Sequence, residues 1–245
     1  MLRFSIKAIC LAVAAFSFQA PVQAQSYDYL LLAASWQPGF CATHSGKPEC
    51  QSLAGTWSAS HFTLHGLWPN NHDGDHPFYC GVSQTQIDLD KNKQWCSMAN
   101  YGVSNSTLNT LKGVMPGVVS CLDKHEWYKH GTCEGRTADN YWQGASSLVQ
   151  RLGNTSFTNF VAANVGKYVS RSQLLNAFNS AIGADASKAL YLQCTKANSI
   201  SYLTEAWIAI KTDQQASFPQ LNSLALDASL NGTCPSQKIF IAKAQ

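Results

Sequence analysis

This 245-residue chain has little charge: 13% of its residues are Asp, Glu, Lys or Arg, against 45% hydrophobic. That balance excludes a disordered chain, which needs high net charge and little apolar content. It also excludes a coiled coil, which needs abundant Glu, Lys and Arg. The formal net charge is +3 and the isoelectric point 8.3. Proteins that coat nucleic acid through a global field sit higher, above about 9, so any such contact here must come from a local site. Repeats and low-complexity stretches are absent. So is a membrane span: the longest apolar run, Ala8 to Phe18, falls well short of the roughly 20 residues a spanning helix needs.

That short run is informative in its place. Arg3 and Lys7 precede it, and the small-residue site Val22-Gln23-Ala24 follows. The pattern predicts a secretory signal peptide over residues 1–24, cleaved after Ala24, with residues 25–245 as one domain. The leader takes Cys10 with it. Cys41, Cys50, Cys80, Cys96, Cys121, Cys133, Cys194 and Cys234 remain. An even count in an exported chain predicts disulfides. The absence of any C-x-x-C pair argues against a zinc ribbon. Counting alone leaves on the order of a hundred pairings open.

Strands are predicted at Tyr27–Ser35 and at His61–His65, the second stopped by Pro69, with 70–75 as loop. Helices are predicted over Ser104–Val114, from Cys121 to a stop at Gly131, over Ala138–Leu152 and over Arg171–Ile182. Further strands are expected at Ala189–Lys196, Tyr202–Lys211 and Lys238–Ala242. Helices in the middle and strands at both ends predict an α+β domain with an antiparallel sheet.

All seven histidines lie between positions 44 and 130. Groups that titrate near neutrality, clustered this way, suggest a catalytic or metal site. The densest segment is Lys124-His125-Glu126-Trp127-Tyr128-Lys129-His130. On a helix, His125, Glu126, Lys129 and His130 share an arc of about 140°, with Trp127 and Tyr128 elsewhere. A zinc-protease motif is a tempting alternative, because it also carries His-Glu and a second His. It needs its histidines four apart; here they are five apart and diverge around a helix. The other notable segment is Phe62 to Pro69, where a strand ends in His65, Gly66 allows close backbone approach and Trp68 offers a flat face.

Together the segments HGLWP (65–69) and HEWYKHGTC (125–133) resemble the two active-site segments of the ribonuclease T2 family. Ser35 to Cys41 (SWQPGFC), Cys80, Cys194 and Cys234 extend the likeness over essentially the whole mature chain. The resemblance implies an α+β fold of antiparallel sheet and packed helices. It implies a monomeric, periplasmic or secreted endoribonuclease that acts on RNA with no metal and no cofactor. His130 would be the general base, His65 the general acid, and His125 a phosphate contact. Glu126 and Lys129 would stabilise the transition state, and Trp68 would stack on a base. Ser35 and Asn70 occupy slots where selective members place Gln or Asp, which implies broad base specificity. The implied bridges are Cys41–Cys50, Cys80–Cys133, Cys96–Cys121 and Cys194–Cys234. An inactive relative that only binds RNA or protein would generally lack one of the two histidines, and both are present. The chemistry is coherent without the family: a ribose 2′-hydroxyl is an internal nucleophile, and two imidazoles suit the proton transfers near neutral pH.

Overall fold

A computed structural model describes residues 25–244, so the leader expected at residues 1–24 lies outside the described residues. In chain order the strands are β1 (Tyr29–Trp36), β2 (Phe62–Asn70), β3 (Tyr168–Val169), β4 (Leu190–Ala197), β5 (Ile200–Lys211) and β6 (Ile239–Phe240). The helices are α1 (Gln37–Thr43), α2 (Gln84–Lys91), α3 (Asn105–Val114), α4 (Leu122–Lys129), α5 (Ala138–Gly153), α6 (Ser156–Ala163) and α7 (Arg171–Ile182).

The sheet runs β2-β1-β5-β6-β3, with β4 also paired to β5. All its ladders are antiparallel except the short β5–β6 pair, which is parallel. β1 is buried along its whole length, as its unbroken run YLLLAASW requires for a central strand. α5 covers the sheet. Its apolar residues Tyr141, Trp142, Ala145, Leu148, Val149 and Leu152 recur at helical spacing and are all fully buried. Its N-terminus is capped by Thr137, which accepts from the Asn140 amide, and the Tyr141 hydroxyl donates to Leu67 O at 2.6 Å. Trp36, Phe62, Phe157 and Phe178 continue the core as an aromatic chain with centroid separations of 5.2–5.5 Å.

One local expectation needs correction. β2 does not stop before Pro69: it runs on to Asn70, with Pro69 paired to Leu30. β2 lies at the sheet edge, where a missing ladder donor is tolerated. The helix carrying the histidines ends at Lys129 with His130 as its C-cap, so the expected stop at Gly131 agrees with the structure, and Gly131 opens a 3₁₀ turn to Cys133. Glycine is needed at 131 for space, because a Cβ there would press on the Trp127 ring. The short elements α1, α2, α6 and β3 gave no periodic signal in the sequence.

Four disulfides join Cys41–Cys50, Cys80–Cys133, Cys96–Cys121 and Cys194–Cys234. Among the described residues, no helix is long and apolar enough to cross a membrane.

Candidate active site

His65 owes its position to a break in β2. Ala33 pairs with Gly66 and the next residue, Ala34, pairs with Leu64, so His65 is the extra residue of a β-bulge. The alternation of the strand is thereby reset: Phe62, Leu64 and Leu67 all point into the core, and His65 is turned into a cleft. From the other side α4 delivers its polar arc. Trp127 packs into the core against Tyr101 and Tyr141. His125, Glu126, Lys129 and His130 line a cavity of about 320 Å³ together with His65, Trp68 and Asn70. The angular reading of this segment therefore matches the geometry, with His130 at the C-cap rather than inside the helix.

Glu126 is the hub. Its carboxylate is 1% exposed, accepts from Trp68 Nε1 at 2.6 Å, and lies 3.3 Å from His65 Nε2 and 3.5 Å from His125 Nε2. Burial pushes its pKa up, but the charge and hydrogen bond of His65 outweigh this and hold it at about 2. His65 is 30% exposed and is held at its other nitrogen, where Nδ1 lies 2.6 Å from Glu205 Oε1. Burial would lower its pKa; the Glu205 and Glu126 carboxylates overcome that and raise it well above the usual imidazole value. His130 behaves oppositely. It is buried, stacks on Trp68 at 5.1 Å and meets the edge of Phe78 at 5.3 Å. Burial first, then the neighbouring Lys129 and other histidines, drive its pKa down to about 3 against the pull of Glu126. Its Nδ1 has no hydrogen-bond partner among the described residues. One imidazole is thus kept protonated and another kept neutral within the same cavity, which is what an acid–base pair requires.

The remaining expected residues divide. His125 Nδ1 lies 2.6 Å from Asp90 Oδ1, and its ring stacks on Trp95 at 4.6 Å. The Lys129 ammonium lies 5.6 Å from the centre of the Phe78 ring. Trp68 is tied into the site by Glu126, His130 and Trp207 as well as lining the cavity. Asn70, buried at the end of β2, directs its amide at the Tyr29 hydroxyl. Ser35 is not in this cavity. It lines a second one, which also has His65 in its wall, and its hydroxyl donates to Glu205 at 3.1 Å. Among the described residues, no three His, Cys, Asp or Glu side chains are grouped as ligands for one metal ion.

Sequence reasoning missed Glu205 and Asp90, the carboxylates that hold His65 and His125. Glu205 also accepts from Trp207 Nε1 at 2.7 Å; burial would raise its pKa, but the charge and hydrogen bond of His65 outweigh this and lower it. A lone acid inside the otherwise uncharged strand core Tyr202–Ile210 was the one available signal.

A family model described as the ribonuclease T2 family matches residues 27–220. The chain belongs to the ribonuclease T2 family. It is an endoribonuclease of that type. Ribonuclease I of Escherichia coli K12 is 32% identical over 239 residues, covering 87% of this chain and 88% of that protein. Extracellular ribonuclease LE of Solanum lycopersicum is 30% identical over 171 residues, 65% of this chain and 67% of that one. The self-incompatibility-associated SF11-RNase of Nicotiana alata superposes with a TM-score of 0.63 over 89% of this chain and all of its own. At 17% identity that likeness speaks to the fold alone.

Gly66 tests the packing of this ribonuclease's site. A Cβ at that position would overlap Glu126 Oε2 and Trp68 Nε1. Gly66→Ala is expected to part those two groups and lower kcat by about 10²-fold, the scale of losing one transition-state hydrogen-bond donor. Circular dichroism should show the fold retained. Wild-type kcat in the variant would show that the Trp68–Glu126 contact is dispensable.

Proposed function

We propose that the ribonuclease cleaves single-stranded RNA by transphosphorylation to 2′,3′-cyclic phosphates, which it then hydrolyses to 3′-phosphates, with no metal. The observation that carries this reading is the opposed pair: His130 neutral and His65 protonated, facing one cavity across Trp68 and Glu126. His130 takes the proton of the ribose 2′-hydroxyl, the oxygen attacks phosphorus, and His65 protonates the departing 5′-oxygen. Lys129 and His125 supply positive charge where the pentacoordinate phosphorus gathers negative charge. Glu126, ionised at the centre, keeps the three imidazoles and the Trp68 indole in register. In the second step His65, now neutral, activates water and His130 returns its proton. DNA lacks the nucleophile and is inert.

Broad base specificity follows from the hydrogen bonding of the two slots. The Ser35 hydroxyl donates to Glu205 and one Asn70 amide N–H faces Tyr29, so neither offers a fixed donor–acceptor edge to a base. Trp68 remains as a sequence-tolerant stacking surface at the cavity wall. Residues 1–24 direct export to the periplasm or beyond, which agrees with four disulfides, and the mature monomer is the acting unit.

The experiment is digestion of the sixteen dinucleoside monophosphates in excess EDTA, with end groups identified. All sixteen are expected to be cleaved to cyclic phosphates first, with rates within about 100-fold, or about 2.8 kcal/mol. Loss of cleavage on chelation, restored by zinc, would overturn the mechanism. A preference above about 10³ for one base would overturn the specificity.

The pH profile follows from the same pair. His130 must be unprotonated to act as base, and it is so above about 3. His65 must be protonated, and its raised pKa keeps it so beyond the ordinary imidazole range. kcat/KM should therefore rise near pH 3 and hold through neutrality. Glu205→Gln removes the main source of the elevation, so its alkaline limb should move to lower pH. An unmoved limb would free His65 from dependence on Glu205.

A further inference from the structure

His65 stands in the walls of two cavities. The second, of about 290 Å³, has Ser35, His65 and Glu205 on its sheet side and Lys47, Lys93 and Trp95 on its loop side. The loop side is a constructed surface. Lys47 belongs to the loop closed by Cys41–Cys50, whose backbone folds on itself: Lys47 N donates to His44 O and Cys50 N to Lys47 O, each at 3.0 Å. Trp95 immediately precedes Cys96, which is bridged to Cys121 at the head of α4. The Lys47 ammonium lies 5.7 Å from the centre of the Trp95 ring, and that ring stacks on His125. One indole therefore links Lys47 to an imidazole of the first cavity. Lys93 is held by a left-handed backbone, φ 58°, with its amide donating to Asp90 O at 2.9 Å. Glu49 is the acid on this side, and its carboxylate accepts from the Ser120 hydroxyl.

We propose that Lys47 and Lys93 form a phosphate subsite for the RNA strand one nucleotide beyond the cleaved bond, on its 3′ side. The inference rests on His65 acting as the acid. The oxygen that His65 protonates belongs to the 3′ nucleoside, so that nucleoside passes His65 into the second cavity. The cavity is of the size that holds one small ligand, and its sheet wall is filled by the paired groups Ser35, His65 and Glu205. The next phosphate then emerges at the loop wall, where the two ammonium groups meet its charge. Binding of this kind is electrostatic, independent of base and weakened by salt.

The test compares three substrates that differ by one terminal phosphate: NpN, NpNp with a 3′-phosphate, and pNpN with a 5′-phosphate. The wild-type enzyme should show a KM for NpNp about five- to tenfold below that for NpN at low ionic strength, with the gap closing as salt rises. The Lys47→Ala/Lys93→Ala variant should lose this gap while cleaving NpN with wild-type kcat/KM, which also certifies its fold. The corresponding double Arg variant should keep the gap. Equal KM for NpN and NpNp in the wild type would overturn the subsite. So would a gap that survives in the double Ala variant, or one found with pNpN instead of NpNp. NpN left uncleaved would overturn the assignment of His65 and the subsite with it; NpN cleaved without a gain from the 3′-phosphate overturns the subsite alone.

Discussion

His65→Ala and His130→Ala are each expected to lower kcat on RNA by at least about 10³-fold. Loss of one positioned proton-transfer group is worth about 10²–10⁴, and each substitution also removes something else. His65 is the cation paired with both Glu126 and Glu205, so its loss leaves two buried carboxylates without their partner. His130 fills the space between Trp68 and Phe78, so its loss loosens the indole that holds Glu126. His130→Asn, which keeps more of the volume, separates the two contributions: it should be as inactive as alanine but more stable. The double His65→Ala/His130→Ala variant should fall little below either single variant, because the two act as a unit. The measurement is kcat at saturating RNA for the four variants. A single variant within tenfold of wild type would remove that histidine from proton transfer.

The second large effect concerns the Cys80–Cys133 bridge. Its sequence separation is 53 residues. Loop-closure entropy on that scale makes its removal, as Cys80→Ser/Cys133→Ser, worth about 4 kcal/mol of stability. The bridge also borders the site. Tyr79 N donates to Lys129 O at 2.9 Å, and Phe78 packs on His130 and under Lys129. Removing the bridge should therefore lower both the urea midpoint and kcat. Cys194–Cys234 joins β4 to the C-terminal segment, with a separation of 40 residues. Its removal should lower the midpoint by a similar amount and leave kcat at wild type under conditions where the protein stays folded. Equal kcat losses from both removals would mean that global loosening, not the Phe78 contact, governs activity.

The half of the site that could be read from sequence is the half that is local. His125, Glu126, Lys129 and His130 lie within one and a half helical turns, so periodicity alone puts them on one arc. Gly66 and Trp68 follow His65 in a single strand. What could not be read arrives through tertiary pairing. Glu205 meets His65 because β1 lies between β2 and β5, with Ser35 paired to Glu205 and Thr63. Asp90 meets His125 because the short helix α2 docks beside α4. The bulge at His65 was also hidden, because a period-two reading of FTLHGLW has no place for an inserted residue, and the same reading stopped the strand at Pro69. Most strands and helices named from sequence were long enough to show a period; β6 and α4, with two and eight residues, are the short exceptions. Those that escaped, α1, α2, α6 and β3, are eight residues or fewer.

The span between His65 and Glu205, 140 residues of chain, has a consequence in time. Ribosomes add about 5–20 residues each second, so on the order of ten seconds separates the synthesis of the histidine from that of the carboxylate that charges it. Through that interval β1 lacks its neighbour β5, and the half-made sheet holds the imidazole with nothing behind it. Until the last third of the polypeptide has been made and folded back through the middle of the sheet, His65 lacks the carboxylate that does most to raise its pKa.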